Sequence, residues 1–490
     1  MQKSHSKKIK ILYFSNVSSL AVLFIMGFSG CQMIKPEETP SVNIGQNLSS
    51  PSQYGLGIEH KKWETQDWKI ANPSDSLPKG EWWQIFSDPQ LNQLVDQLNR
   101  QNASIAQYQA QYRQALALIE QSRAGLFPTL AGNASMTRAN SGSASVNSSR
   151  AISTEYGVDA TVSWEPDLWG KVRQNILVNQ DKAEASQADL NNIRLSMQSQ
   201  LVSNYLQWVV QGFQLQSQKE SIDNLKKSLT LTQNQYNAGI VASTIVDQAQ
   251  SQYQAALASY TDMQLSQVQL QHIIAMLIAQ PQDQLQLQIP QQLPALPQIP
   301  SSLPSSILQR RPDIASAERT MAAANAQVGV ARLAFFPDFS LGGNIGFKSN
   351  QFSHLLNASN LVWSVGPVLA STILDGGLRK AQTAQARAAY AASAAQYKQT
   401  ILSAIQNVED NIAAQYLLSQ QVNQQQQSLQ AASRAEKTTM NQYRAGIVAY
   451  LNVLTAQNAR ITAQSSVWSI RSRQYVTTVN LISSMGGGWD

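Results

Sequence analysis

Side chains able to do chemistry are few and scattered. The 490-residue chain has one cysteine, Cys31, and four histidines, His5, His60, His272 and His354. A thiolate or imidazole serves as nucleophile, base or metal ligand only when partners converge on it, usually at short, recognisable spacings. No such spacing occurs, and neither does a glycine-rich phosphate loop or a nucleophile elbow. The acidic pair Glu409-Asp410 falls in a long helical stretch and reads as a solvated or inter-helix feature. Arg310-Arg311 reads as a helix-start feature. No catalytic residue, cofactor or metal is expected, and a single cysteine permits no intrachain disulfide.

The position of Cys31 is more informative than its isolation. Lys3, Lys7, Lys8 and Lys10 precede a mostly apolar run, Ile11–Phe28, and Phe28-Ser29-Gly30-Cys31 follows. A charged start, an apolar middle and small residues before a cleavage point make residues 1–30 a secretory signal. The cysteine at that point resembles a bacterial lipoprotein box. The resemblance implies lipidation of Cys31, and Gln32 after it favours sorting to the outer membrane. The four leader lysines account for all but two of the six net positive charges, so nucleic-acid binding loses its main support. Charged residues make up only 13% of the chain, against about 25% in a typical soluble protein. Glutamine, serine, alanine and asparagine take their place, which suits helices that pack on one another or line water.

What positions these residues is a duplicated unit. Asn234-Gln-Tyr-Asn-Ala-Gly-Ile-Val-Ala242 returns as Asn441-Gln-Tyr-Arg-Ala-Gly-Ile-Val-Ala449. Similar offsets align Phe127-Pro128 with Phe336-Pro337, Gly170 with Gly376, Arg173 with Arg379 and Val246 with Val453. The chain therefore divides into an extended segment at 31–87, a first repeat at 88–283 and a proline-rich extended linker at 284–303. A second repeat at 304–485 and a tail at 486–490 complete it. Each repeated nonapeptide predicts a tight turn between long antiparallel helices. Gly239 and Gly446 supply the positive φ that ends the first helix, and Ile240, Val241, Ile447 and Val448 complete the turns.

Asp88 and Pro89 predict the N-cap and first residue of a helix continuing to about Leu126. Period-two alternation follows in each repeat. Leu130, Gly132, Ala134 and Met136 alternate with Ala131, Asn133, Ser135 and Thr137, and Tyr156, Val158, Ala160, Val162 and Trp164 alternate with Gly157, Asp159, Thr161, Ser163 and Glu165. Phe339, Leu341, Gly343, Ile345 and Phe347 do the same, and Trp363, Val365, Pro367 and Leu369 lie on one face of a strand at Leu361–Thr372. Strands of about ten residues with aromatics at both ends of the apolar face fit a membrane-spanning sheet. Pro367 predicts a bulge or local irregularity. Long helices at Leu168–Tyr236 and Gly377–Tyr443 follow, each roughly 100 Å at ~1.5 Å per residue. They are too long and too polar for a bilayer core. Helices at Val246–Ala279 and Val453–Ser484 run back.

Four strands cannot close a barrel, and open edges are not tolerated in lipid. The chain must oligomerise. Two copies would give a barrel filled by side chains, whereas three would give about twelve strands and a watery lumen. The geometry describes a conduit.

Several stretches are similar to the TolC-type outer-membrane efflux family, specifically its OprM-like (NodT-type) lipoprotein branch. They are Arg311-Pro-Asp-Ile-Ala-Ser-Ala-Glu-Arg319 running to Phe336-Pro337, and Trp164-Glu-Pro-Asp-Leu-Trp-Gly-Lys-Val-Arg173. Leu374-Asp-Gly-Gly377 and Met485-Gly-Gly-Gly-Trp489 complete the set. The resemblance implies a mainly α chain with a membrane β-barrel portion. A homotrimer would form a twelve-stranded barrel continued by a twelve-helix α-barrel in the periplasm. The turns at Gly239 and Gly446 would meet a periplasmic membrane-fusion adaptor. That adaptor would link the conduit to an inner-membrane pump, often of the resistance-nodulation-division type. The same resemblance places the narrowest aperture at Leu451, Asn452 and Thr455, with no acidic ring in that helix. Small-molecule efflux is the function implied. A type I protein-secretion duct, a cation-efflux system and a lipid-tethered coiled-coil protein are the competing expectations.

Overall fold

The computed structural model describes residues 80–141, 151–297 and 310–487. The leader, Cys31 and the extended segment to residue 79 lie outside the described residues. So do residues 298–309 of the linker region and the final Gly488, Trp489 and Asp490. The first repeat supplies α1 (Pro89–Gln101), α2 (Ala103–Ala124), β1 (Thr129–Ser141), β2 (Ala151–Trp164), α3 (Lys171–Asn237) and α4 (Ser243–Leu277). The second supplies α5 (Pro312–Leu333), β3 (Asp338–Ser349), β4 (Leu361–Ala370), α6 (Leu378–Arg444) and α7 (Tyr450–Ser484). The duplication holds in length: α2 and α5 have 22 residues each, α3 and α6 have 67, and α4 and α7 have 35. No helix among the described residues is long and apolar enough to cross a membrane.

The compact units cut across the repeats. One contains Ala115–Ala183 and Thr320–Ala394, and the other contains Glu184–Arg319 with the described residues of 80–114 and 395–487. Both repeats therefore contribute to each unit.

The first unit is built on one antiparallel sheet in the order β1-β2-β3-β4. Sequence alternation predicts two hairpins; β2 and β3 join them through Tyr156↔Ser349 to Trp164↔Leu341. Registers set Leu130 opposite Val162, Met136 opposite Tyr156, Val158 opposite Phe347 and Ile345 opposite Trp363. Every apolar set thus lies on one face. Much of that face is bare: Leu130 is 74% exposed, Trp363 70% and Val365 69%. The opposite face is polar. Asn133 donates to Asp159 at 3.3 Å, Ser364 meets Asn344, and Lys348 pairs with Glu155 at 3.5 Å. At Gly346 a Cβ would fall 2.4 Å from the Val158 carbonyl oxygen, so only glycine lets β2 and β3 meet there.

Pro367 corrects an expectation. The β3–β4 register runs unbroken from Asp338↔Ala370 to Phe347↔Leu361, with Pro367 opposite Leu341 and no bulge. β4 is an edge strand, where a proline nitrogen turned away from the ladder sacrifices no bond.

Matching caps connect strands to long helices. Asp167 accepts from the backbone nitrogens of Val172 at 2.9 Å and Arg173 at 3.0 Å, and from Arg173 Nε at 3.1 Å. Asp375 accepts from the nitrogens of Gly377 at 2.9 Å and Arg379 at 3.2 Å, and from Arg379 Nε at 2.6 Å. Each carboxylate fills orphan helix N–H groups and holds the arginine that follows. Trp164 Nε1 donates to the Leu126 carbonyl at 3.0 Å, and Trp169 Nε1 donates to the Pro337 carbonyl at 2.6 Å. The two tryptophans thereby tie both Phe-Pro strand entries to one corner segment.

In the second unit the core gathers Phe86, Leu91, Leu98, Leu201, Tyr205, Leu206, Ile274, Ile278 and Ile482, with Trp82 and Trp83 alongside. Asp88 caps α1 as expected, accepting from Gln90 and Leu91 nitrogens, and also accepts from the Tyr205 hydroxyl at 2.6 Å. The helix expected to run unbroken from Pro89 breaks at Asn102, whose backbone is extended. Its Oδ1 accepts from Ile105 N at 3.0 Å while its Nδ2 donates to the Leu277 carbonyl at 2.7 Å. A side chain that caps one helix and closes another outweighs helix continuation.

In the described part of the linker Gln284 ends a short 3-10 turn and residues 285–297 form neither helix nor strand, yet the segment packs rather than hangs free. Leu285, Leu287, Leu293 and Leu296 join the core. Gln90 Oε1 accepts from Gln288 N at 3.0 Å, and Tyr475 donates to the Pro294 carbonyl. Gly212, midway along α3, makes room: a Cβ there would lie 2.4 Å from Ile289 Cδ1.

Candidate functional site

The two repeated turns have the same bonding. In the first, Gly239 N donates to the Tyr236 carbonyl at 2.9 Å and Ile240 N to the Gln235 carbonyl at 2.8 Å. In the second, Gly446 N donates to the Tyr443 carbonyl and Ile447 N to the Gln442 carbonyl, both at 2.9 Å. This paired closure is a Schellman motif, and it requires a left-handed residue after the helix. Gly239 and Gly446 both have φ of 71°. The sequence placed them correctly, with α4 and α7 starting three residues earlier than expected, at Ser243 and Tyr450.

The turns leave apolar side chains bare. Ile240 is 70% exposed, Ile447 71% and Leu451 60%, whereas Val241 and Val448 are half-buried. Beneath them a small core of Ala249, Tyr443, Tyr450 and Val453 draws both repeats together. Tyr443 donates to Gln235 Oε1 at 2.5 Å, the Tyr443 and Tyr450 rings lie 5.2 Å apart, and the hydroxyls of Tyr450 and Ser228 are 3.1 Å apart. Burial is the main cause that pushes both phenols up from the ordinary tyrosine range. The tyrosines therefore stay neutral hydrogen-bonding groups.

Leu451, Asn452 and Thr455 are exposed together near the start of α7, and the Thr455 hydroxyl donates to the Leu451 carbonyl at 2.9 Å. α7 contains Arg460, Arg471 and Arg473 but no acidic residue, while α4 contains Asp247 and Asp262 but no lysine or arginine.

One polar cluster near the tip was not read from the sequence. Glu436 of α6 pairs with Arg460 Nε at 2.5 Å, their side chains only 18% and 13% exposed. Arg460 also donates to Ser221 Oγ of α3 at 3.2 Å and to Gln464 at 2.5 Å, and Gln464 reaches Ser217. Repeat alignment offered a signal, because Glu436 and Arg460 replace Leu229 and Tyr253 of the first repeat. A charge pair present in one copy alone marks a contact that the duplication did not build.

The family described as "Outer membrane efflux protein" matches residues 94–279 and 303–487. The chain belongs to that family. A relative from Pseudomonas putida, "Probable efflux pump outer membrane protein TtgC", is 30% identical over 485 residues, covering 96% of this chain and 95% of the relative. "Cation efflux system protein CusC" of Escherichia coli is 25% identical over 477 residues, covering 95% and 97%. Among solved structures, the outer-membrane channel OprN has a TM-score of 0.80 at 28% identity, covering 93% of this chain and 98% of that one. This outer membrane efflux protein is thus the outer-membrane part of an efflux system, and the one-sided apolar face of its sheet agrees with that location. The family match spans both turns, Leu451, Asn452 and Thr455.

Proposed function

We propose that three copies of this outer membrane efflux protein close a twelve-stranded barrel and a helical conduit. In this reading Cys31 carries the lipid anchor. The turns around Gly239 and Gly446 receive a periplasmic membrane-fusion adaptor, and an inner-membrane pump of the resistance-nodulation-division type drives export. The cargo is a range of small organic compounds. The observation that carries the reading is the four-stranded sheet, apolar on one face and polar on the other, whose two edge strands lack partners among the described residues. Such a sheet is stable in lipid only when other copies complete it. The bare Ile240, Ile447 and Leu451 at the tip support an apolar docking contact, since surface apolar clusters mark interaction sites. The name of TtgC as an efflux pump component supports organic cargo, and that of CusC makes metal ions the reading to be tested against it.

Gene deletion followed by uptake measurements tests this. Raised intracellular accumulation of several dyes, antibiotics and detergents, reversed by the wild-type gene, is the expected result. Accumulation of metal ions alone would transfer the reading to cation efflux. Loss of a secreted protein, with no change in small-molecule accumulation, would transfer it to protein secretion.

A further inference from the structure

We propose that Arg138 binds a phosphate group of the outer leaflet's glycolipid, at the outward end of the sheet's apolar face. This rests on the reading above that the apolar face meets lipid, and it names the lipid and the side chain that holds it.

Arg138 stands on the wrong face for a charge. It pairs with Thr154, two residues beyond Met136↔Tyr156, so its side chain shares their face. Glu155 and Asp159 alternate onto the opposite face. There Glu155 pairs with Lys348 at 3.5 Å and Asp159 accepts from Asn133 at 3.3 Å. Arg138 is exposed and makes no hydrogen bond or ion pair among the described residues. Other segments have no carboxylate to give it. No aspartate or glutamate lies between Glu120 and Glu155, and none lies between Asp338 and Asp375. β1 and β4 therefore carry none, and the β4 of another copy would bring none.

Height decides what the cation meets. An arginine on the lipid face is costly at mid-membrane and nearly free at the interface. Trp164 marks the helix-side end of that face, and Thr154, opposite Arg138, lies ten residues back along β2. At about 3.4 Å per residue this is roughly 34 Å of strand, or about 26 Å of height at a tilt of ~40°. The apolar band of such a barrel is about 25 Å tall, so Arg138 emerges at headgroup level. Its surroundings suit that level. The Phe352 ring stands edge-on to Tyr156 with centroids 5.5 Å apart, and Met136, Ile152 and Phe352 are all exposed. Apolar side chains thus accompany an unmatched guanidinium, whose fork of N–H donors fits phosphate oxygens. A lipid with acyl chains in the band and phosphates above it matches both parts. The strand ends away from the helices face outward, where the outer leaflet supplies that chemistry as a phosphorylated glycolipid.

Native mass spectrometry of the full-length protein, purified from outer membranes and mixed with diphosphoryl or phosphate-free lipid A, tests this. Wild type should retain the diphosphoryl form in several-fold excess. Arg138→Gln should abolish that excess, and Arg138→Lys should keep part of it. Arg138→Gln combined with Thr137→Arg preserves net charge but moves the cation to the polar face, so the excess should stay lost. An undiminished excess in Arg138→Gln, or its return in the double variant, would overturn the proposal. Displacement of lipid A by an equal concentration of inorganic phosphate would also overturn it, by marking a site for the free anion. Separately, Val158→Cys on the same face should resist a water-soluble maleimide in outer membranes. Rapid labelling there would overturn the lipid-facing reading itself, whatever Arg138 binds.

Discussion

Asp375 holds the start of α6 by accepting two backbone N–H groups and the Arg379 guanidinium. Those bonds, the Arg379 side chain first, lower its pKa from 3.8 to about 2. A carboxyl depressed on folding stabilises the fold above its unfolded pKa and loses that contribution as pH falls through the folded value. Thermal melts of the detergent-solubilised protein should therefore separate wild type from Asp375→Asn by a constant margin at pH 5–7. The two should converge as pH falls from about 4 to 2. A margin that persists at pH 2 would assign the defect to lost packing instead of lost charge. Gly346 makes a different kind of demand, since any side chain there meets backbone of β2. Gly346→Ala should separate the two hairpins locally and reduce the yield of folded protein in the membrane, whereas the nearby Gly342→Ala, whose Cβ would meet nothing within 4 Å, should not. Membrane-fraction yield measured for both variants checks this.

Elements were legible where one physical signal dominated. Proline-free runs and the repeated glycine turn placed α3 and α6 within a few residues, and period-two alternation placed all four strands. What escaped was set by partners distant in sequence. Nothing local to Asn102 announces that Leu277, 175 residues away, will accept its amide. Nothing local to Gly212 announces that Ile289 will occupy the space beside it. The prolines are consistent with the lack of helix and strand at 285–297, but they do not announce that Leu285, Leu287, Leu293 and Leu296 pack against the core. Gly212→Leu should displace this strap and lower the melting temperature, an overpacking cost of about 1–3 kcal/mol. Protease cleavage within 284–297 should rise in parallel. The Glu436–Arg460 pair carries the larger element-scale consequence, because its side chains are mostly withdrawn from water. Removing one member leaves the other charge unpaired, at about 3 kcal/mol or more for a buried pair. Glu436→Gln should therefore destabilise more than the double variant Glu436→Leu with Arg460→Tyr, which restores the residue types of the first repeat. Urea denaturation followed by helical circular dichroism distinguishes them, and equal losses would make the ion pair dispensable.

At the scale of the whole conduit, ion preference depends on which charges ring the narrowest opening. A charged ring repeated by symmetry acts several times at one height, and low-dielectric walls concentrate its field. α7 brings Leu451, Asn452 and Thr455 to the tip and has no acidic residue over its whole length. With three copies, Thr455→Asp would add three negative charges at one level for a single substitution per chain. Thr455 suits the test because it is exposed and its hydroxyl only returns to the Leu451 carbonyl of its own helix, so replacement breaks no contact between helices. Lipid-bilayer recordings in a salt gradient should show the reversal potential move toward the cation value in Thr455→Asp, most strongly at low ionic strength, where the Debye length is greatest. Thr455→Asn should leave it where wild type stands. An aspartate variant with unchanged reversal potential and unchanged single-channel conductance would place the constriction elsewhere along the conduit. The Arg460 level, about five residues further along α7 and roughly 7.5 Å away at 1.5 Å per residue, would then be the next position to probe.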